Sequence, residues 1–286
     1  MAIRLNFRQF TRVCVPKKKE ARVRQNELAG KFSMKIEIGM TRWVSGWTAV
    51  LGLSFSLAVS ATAQPPQYLG VAEGLVLDLV QEEIATPPPA VWPNVYGSPA
   101  FINWNGTKST ARTECSTFVT QLWEHTYNWA PSHFTSWMGT NNPIAAVYHD
   151  TILNQKGFQR VPLISQIQPG DVIAIVYYPE LQSPSGHVMI VQDFPATNSS
   201  KPFIAGTSQW TVPVIDSSAS YHGTNDTRYA HPGGIGHGTF RLYANTDGTI
   251  AGYTWSLLGT SVADYVPQAT STSSGRHLVI GRVPGL

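Results

Sequence analysis

The sequence predicts an α+β fold, an antiparallel β-sheet packed on a helix that carries a cysteine in its first turn. Three observations predict it. Residues 115–127 place Phe118, Val119, Leu122 and Trp123 at helical spacing. Beyond residue 157, β-rich runs alternate with Pro and Gly turns. The composition is that of a folded chain, with 42% hydrophobic residues and 13% charged, about half the usual charged share. That composition excludes a charge-rich disordered protein, a coiled coil and a collagen-like chain. Two cysteines exclude a disulfide scaffold and a four-cysteine zinc module.

The first 63 residues read as an address. They carry 11 Lys and Arg against 3 Asp and Glu, whereas residues 64–286 carry 9 against 14. The net charge of +3 therefore averages a basic leader and a slightly acidic body, and no nucleic-acid partner is expected for that body. Residues 43–63 have no charged side chain, the run 49–59 is apolar and short, and Ala61-Thr62-Ala63 precedes Gln64. A basic flank, an apolar run and a small-x-small site make a secretory signal peptide. An uncleaved membrane anchor competes for the same stretch. Met34 and Met40 are alternative starts that would leave residues 1–33 untranslated. The expected product is exported, periplasmic or secreted, with no stable membrane association after cleavage.

Residues 64–90 read as an N-terminal arm or linker. A helix over residues 70–84 carries Leu75, Leu79 and Val80 on one side, and Pro87, Pro88 and Pro89 stop it because proline lacks the N–H. Residues 91–286 then form one domain. Its helix over 115–127 has Ser109, Thr110 and Thr113 as N-cap candidates. Strands are expected at residues 161–164, 172–178, 187–192, 202–205, 212–216, 238–243, 252–257 and 277–282. Gln168-Pro-Gly-Asp171 and Pro184-Ser-Gly186 mark turns.

Cys115 is the single cysteine left after signal removal, so in an oxidising compartment it has no internal partner. It is either a small buried residue or a reactive thiol. At a helix N-terminus the unpaired N–H groups and the helix dipole favour a thiolate, and the same N–H groups could bind an oxyanion. His187 follows Gly186 at the start of a strand, where an imidazole could take the thiol proton. Asp216 ends a strand, where a carboxylate could hold that imidazole in its productive tautomer.

On these residues the chain resembles a family. Glu114-Cys-Ser-Thr-Phe-Val119 is similar to the Asp-Cys-Ser-Gly-Phe-Val segment of the NlpC-type papain-like cysteine peptidases and amidases. Trp104-Asn-Gly106 resembles the Trp-Gly-Gly segment before their nucleophile, Ile167-Gln-Pro-Gly-Asp-Val-Ile173 their Leu-Gln-Pro-Gly-Asp-Leu strand, and Gly186-His-Val-Met-Ile-Val191 their His-Val-Gly-Ile strand. The four segments occur in the family's order over residues 100–220, with Glu114 in place of Asp and Thr117 in place of Gly. The resemblance implies a papain-like fold and an exported hydrolase of amide bonds, with Cys115 as nucleophile, His187 as base and acid, and Asp216 orienting His187. It implies cell-wall peptidoglycan, or another acyl compound, as substrate, and no cofactor.

Residues 216–238 fit no segment of that family. His222, His231 and His237 lie close in sequence there, but their spacing follows no metal motif, and no metal is expected. A substrate-cleft wall is the expected role. Asp226 and Arg228 are read as a local ion pair beside the cleft, and His222 is the reserve third member. Ser116 and Trp104 are further cleft candidates. Trp129, Trp137 and Trp210 lie in or near loops, while Trp123 and Trp255 fit core patterns. A catalytically inactive wall-binding module on the same fold and a transglutaminase-like acyl transferase are the two alternative functions.

Overall fold

Helix α1 (Gln67–Ala85) begins the part of the chain that the computed structural model describes, namely residues 64–85, 92–104, 108–179, 183–229, 231 and 233–286. All of them belong to one unit, Ser60–Leu286. The signal-peptide reading of residues 1–63, the prolines at 87–89, and Asn105 and Gly106 lie outside the described residues. The stretch read as an arm or linker contributes to the core, because Tyr68, Leu69, Ala72, Leu75, Val76 and Leu79 of α1 are all buried in it. No helix of the described residues is long and apolar enough to cross a membrane.

A small sheet follows, made of β1 (Asn94–Tyr96), β2 (Phe101–Asn103) and β3 (Thr110–Thr113) in the order β1-β3-β2. It leads straight into α2 (Cys115–Tyr127). The cap of α2 is Glu114, whose side chain makes no capping bond; of the expected caps, Thr110 and Thr113 lie in extended strand β3 and Ser109 precedes it. Asn128 closes α2 in the left-handed conformation at φ 53°, which Asn tolerates. Helices α3 (Pro131–Met138) and α4 (Ala145–Leu153) follow. Both fall in a region for which no element was predicted. Pro131 starts α3 without losing a needed donor, and Gly139 ends it at φ 81°.

The remaining strands are β4 (Gln159–Arg160), β5 (Val172–Tyr178), β6 (Gly186–Val191), β7 (Ala196–Asn198), β8 (Thr207–Ser218), β9 (Gly234–Asn245), β10 (Ile250–Thr254), β11 (Tyr265–Pro267) and β12 (Gly275–Arg282). They form one sheet in the order β11-β10-β9-β8-β6-β5-β12-β4, antiparallel throughout, with β7 on β8. The expected α+β class with a large antiparallel sheet is present. Two expected strands are absent. Residues 161–164 keep a single bridge at Leu163 before a 3-10 turn. Residues 202–205 are a loop pinned by Gln209 Nε2 and Tyr243 Oη, which both donate to Pro202 O.

The sheet closes on itself. Gln268, just past β11, donates to Leu278 O and accepts from Leu278 N, and Ala269 N donates to Arg276 O. A barrel results, and side-chain alternation along its strands gives it two cores. Val172, Ala174, Val188, Ile190 and Ile215 join the helices on the outside around Phe118, Leu122 and Trp123. Ile173, Ile175, Met189, Val191, Val214, Phe240 and Leu242 fill the inside. Each such side chain adds about 1.5–3 kcal/mol on burial. The register brings the end of β5, the starts of β6, β9 and β12 and the end of β8 to one end of the barrel.

Candidate active site

That end of the barrel collects the chemically active side chains. Helix α2 packs on β6 and β8 and points its N-terminus there. Cys115 is its first residue and only 6% exposed. The position is fixed from below. Ser217 Oγ donates to Thr113 O at 2.7 Å, which ties β8, one residue past Asp216, to the strand that feeds Cys115. Asn94 clamps β1 to β9 in the same way, donating to Ile235 O at 2.8 Å and accepting from Ile235 N at 2.9 Å.

His187 enters through Gly186. A Cβ at Gly186 would stand 1.9 Å from Ile175 O, so only glycine permits β5 and β6 to approach this closely. His187 Nε2 lies 2.6 Å from Asp216 Oδ2, and the Cys115 sulfur stands within electrostatic reach of its ring. Nε2 must donate to the carboxylate, which leaves Nδ1 for the sulfur. Burial alone would lower the His187 pKa. The Cys115 sulfur and the Asp216 carboxylate outweigh it and hold the value at about 9.

Asp216 is fully buried and serves more than one partner. His222 Nε2 lies 3.1 Å from the same Oδ2, and His222 Nδ1 lies 2.7 Å from Trp255 O. A carbonyl and a carboxylate only accept, so each ring nitrogen of His222 faces an acceptor. Arg228 Nη1 stands 2.8 Å from Asp216 Oδ1. Its hydrogens point instead at Asp216 O and Gly234 O, at 3.2 and 3.1 Å, so Oδ1 has a close positive charge but no aligned hydrogen bond. Burial would raise the Asp216 pKa, yet Arg228 and His222, with the hydrogen bonds from His187 and His222, hold it well below the usual carboxylate range.

The expected Asp226–Arg228 ion pair is present and bidentate, Nε to Oδ1 at 2.9 Å and Nη2 to Oδ2 at 2.8 Å. Room for this network comes from β9. Cβ atoms added at Gly236 and Gly238 would stand 2.6 Å from Thr227 Oγ1 and 2.5 Å from His222 Cδ2, and one at Gly234 would stand 2.2 Å from Asn94 Oδ1. Gly236 and Gly238 therefore make one face of the strand a trough for residues 222–228, and Gly234 admits Asn94 beside it. The sequence predicts this strand only from Gly238, and Gly234 and Gly236 extend it toward the N-terminal side.

The chain is 36% identical over 167 residues to an uncharacterized protein of Acanthamoeba polyphaga mimivirus, a match that spans 54% of this chain and 73% of the viral protein. The chain belongs to that protein's family. No family model and no solved structure matches it.

In this family member the structure brings Cys115, His187, Asp216, His222, Asp226 and Arg228 into one contact network. Ser116 is buried in the first turn beside Cys115. Trp104 instead stacks on His125 at 4.0 Å, along α2 and away from its N-terminus. Trp129 and Trp137 pack around Trp123, and Trp210 donates to Ser208 Oγ. His231 pairs with Glu83, and among the described residues no three His, Cys, Asp or Glu side chains converge as metal ligands.

Trp255, read as core, lies against both imidazoles, 4.8 Å from the His187 ring and 4.3 Å from the His222 ring. Tyr96 and Tyr177 also stand within electrostatic reach of Cys115. Sequence reasoning missed all three aromatics near the site. The signal that could have found Tyr177 is its place at the end of the strand that pairs with Gly186 and His187.

Proposed function

We propose that the protein is an exported cysteine hydrolase of amide bonds, built on a papain-like, NlpC-type fold, with peptides of cell-wall peptidoglycan as its substrate. The observation that carries this reading is the pairing of His187 with Asp216, Nε2 2.6 Å from the carboxylate, within electrostatic reach of Cys115. A His187 pKa of about 9 keeps an imidazolium beside the nucleophile at neutral pH.

The thiolate attacks the amide carbonyl, and the C–S bond forms as the carbonyl electrons move to oxygen. The first-turn N–H groups of α2 are free to bind that oxyanion, because intrahelical bonding begins with Phe118 N to Glu114 O. His187 then gives its proton to the leaving amine. It next takes a proton from water, which hydrolyses the thioester and restores Cys115. Asp216 stays ionised throughout and fixes the ring through Nε2.

The test incubates the purified protein with intact peptidoglycan and analyses the released fragments by mass spectrometry, beside Cys115→Ala. Fragments that require Cys115 are expected, and their masses name the bond. Equal release by both proteins would overturn the reading.

A further inference from the structure

Arg276 opens β12 at the same end of the barrel where His187 lies at the start of β6. Only β5 separates the two strands. The register sets Arg276 opposite Tyr177 and His187 opposite Ile175. Both side chains therefore rise from one face of the sheet, on strands about 10 Å apart. The guanidinium carbon lies 4.3 Å over the Tyr177 ring, and Nη1 donates to Tyr253 Oη at 3.2 Å. Tyr177 is within electrostatic reach of both Arg276 and Cys115.

The nearby buried charges are matched internally. Asp216 faces His187, His222 and Arg228, and Arg228 also holds Asp226. Arg276 differs, for among the described residues it has no carboxylate partner, and its side chain bonds to the Tyr253 hydroxyl instead. It is half-buried, held flat by an aromatic ring, and keeps donors to spare. That is a preorganised fork for a carboxylate. Glu114, exposed beside the nucleophile, puts negative charge on the α2 side, so the two sides of the site differ in sign.

We propose that Arg276 anchors a carboxylate of the substrate, so that the amide cleaved belongs to an acidic peptide whose free carboxylate reaches across β5 toward β12. This rests on the hydrolase reading above. It can be tested without the natural substrate, by Cys115 alkylation rates with N-iodoacetyl-4-aminobutyrate, its methyl ester and iodoacetate.

The acid-to-ester ratio normalises each protein to its own thiol reactivity. The expected ratio is about tenfold in the wild type, near one in Arg276→Gln and intermediate in Arg276→Lys. Iodoacetate, whose carboxylate sits one carbon from the bond it forms with sulfur, should gain no preference over iodoacetamide. Fast alkylation with equal rates for acid and ester would overturn the Arg276 assignment alone. A preference just as large for iodoacetate would reduce it to a general field. A Cys115 that neither reagent modifies would overturn the hydrolase reading and this assignment with it.

Discussion

His222 donates to the same oxygen of Asp216 that receives His187, from 3.1 Å on one side while His187 approaches to 2.6 Å on the other. One carboxylate oxygen thus joins a histidine that faces the nucleophile to a second, fully buried histidine behind it. His222→Ala removes a donor to the charged Asp216 and leaves Trp255 O without its partner. A hydrogen bond to a charged group contributes about 1.5–3 kcal/mol, so hydrolysis should fall about tenfold to a hundredfold. His222→Gln, which keeps one donor, should recover part of the rate. Steady-state kinetics on both variants checks this, and an unchanged rate in His222→Ala would mean that Arg228 alone fixes Asp216.

The pH dependence has a definite sign. His187 binds its proton more tightly in the folded protein, with a pKa raised from 6.5 to about 9. Its contribution to stability is complete below about pH 6.5 and is lost as pH rises through about 9. Asp216, held well below its usual value, contributes above about pH 3.8 and loses that contribution as acid protonates it. Denaturant unfolding should show stability declining from neutral to alkaline pH. Cys115→Ala removes the largest upward influence on His187, so its decline should begin at lower pH. Hydrolysis should also weaken above about pH 9, because a neutral His187 cannot protonate the leaving amine.

The glycines of β9 differ from those of α1 in what they permit. Gly236 and Gly238 make way for the Arg228–Asp226–His222 network, whereas Gly70 and Gly74 face open space on a helix. Gly236→Ala and Gly238→Ala should each cost about 1–3 kcal/mol of stability through overpacking and should also lower activity. Gly70→Ala should stabilise by about 0.5–1 kcal/mol and leave activity unchanged, because alanine loses less entropy in a helix. Thermal unfolding of the three variants separates the two classes.

The sequence made α2, the strands around 172–178 and 187–192, and the residues Cys115, His187 and Asp216 legible. Each depends on a local pattern, either helical spacing or an apolar run beside a Pro-Gly turn. Gln168-Pro-Gly-Asp171 is a case where local spelling and tertiary role coincide. Gly170 takes φ 89°, and the buried Asp171 accepts from Gln168 N at 2.8 Å and from Arg282 across the sheet at 2.7 and 2.9 Å. Trp255 packs against the inner core as its spacing predicts, but that spacing says nothing of the two imidazoles it also meets. Arg228 was read no further than Asp226, two residues away, since its approach to Asp216 depends on a trough of glycines at the start of a strand predicted only from Gly238. The loop at 202–205 looked like a strand because Phe203 and Ile204 are apolar, yet side chains of β8 and β9 take its backbone groups.

Ser217 offers a test of whether the nucleophile is positioned from the sheet. Its hydroxyl donates to Thr113 O at 2.7 Å, and both groups are buried. Asp216 and Cys115 each lie one or two residues from that bond, on separate elements, so it acts as a brace between carboxylate and thiol. Ser217→Ala leaves Thr113 O with its bond from Gly97 N alone, so the loss of one hydrogen bond should cost about 0.5–1.5 kcal/mol of stability. If the brace sets the approach of Cys115 to His187, kcat should fall by more than KM changes, because a small misplacement of reacting atoms lowers rate out of proportion to binding. Ser217→Thr retains the hydroxyl and should recover kcat if its extra methyl is accommodated. A Ser217→Ala protein with lowered melting temperature and unchanged kcat would show that the bond serves the fold alone.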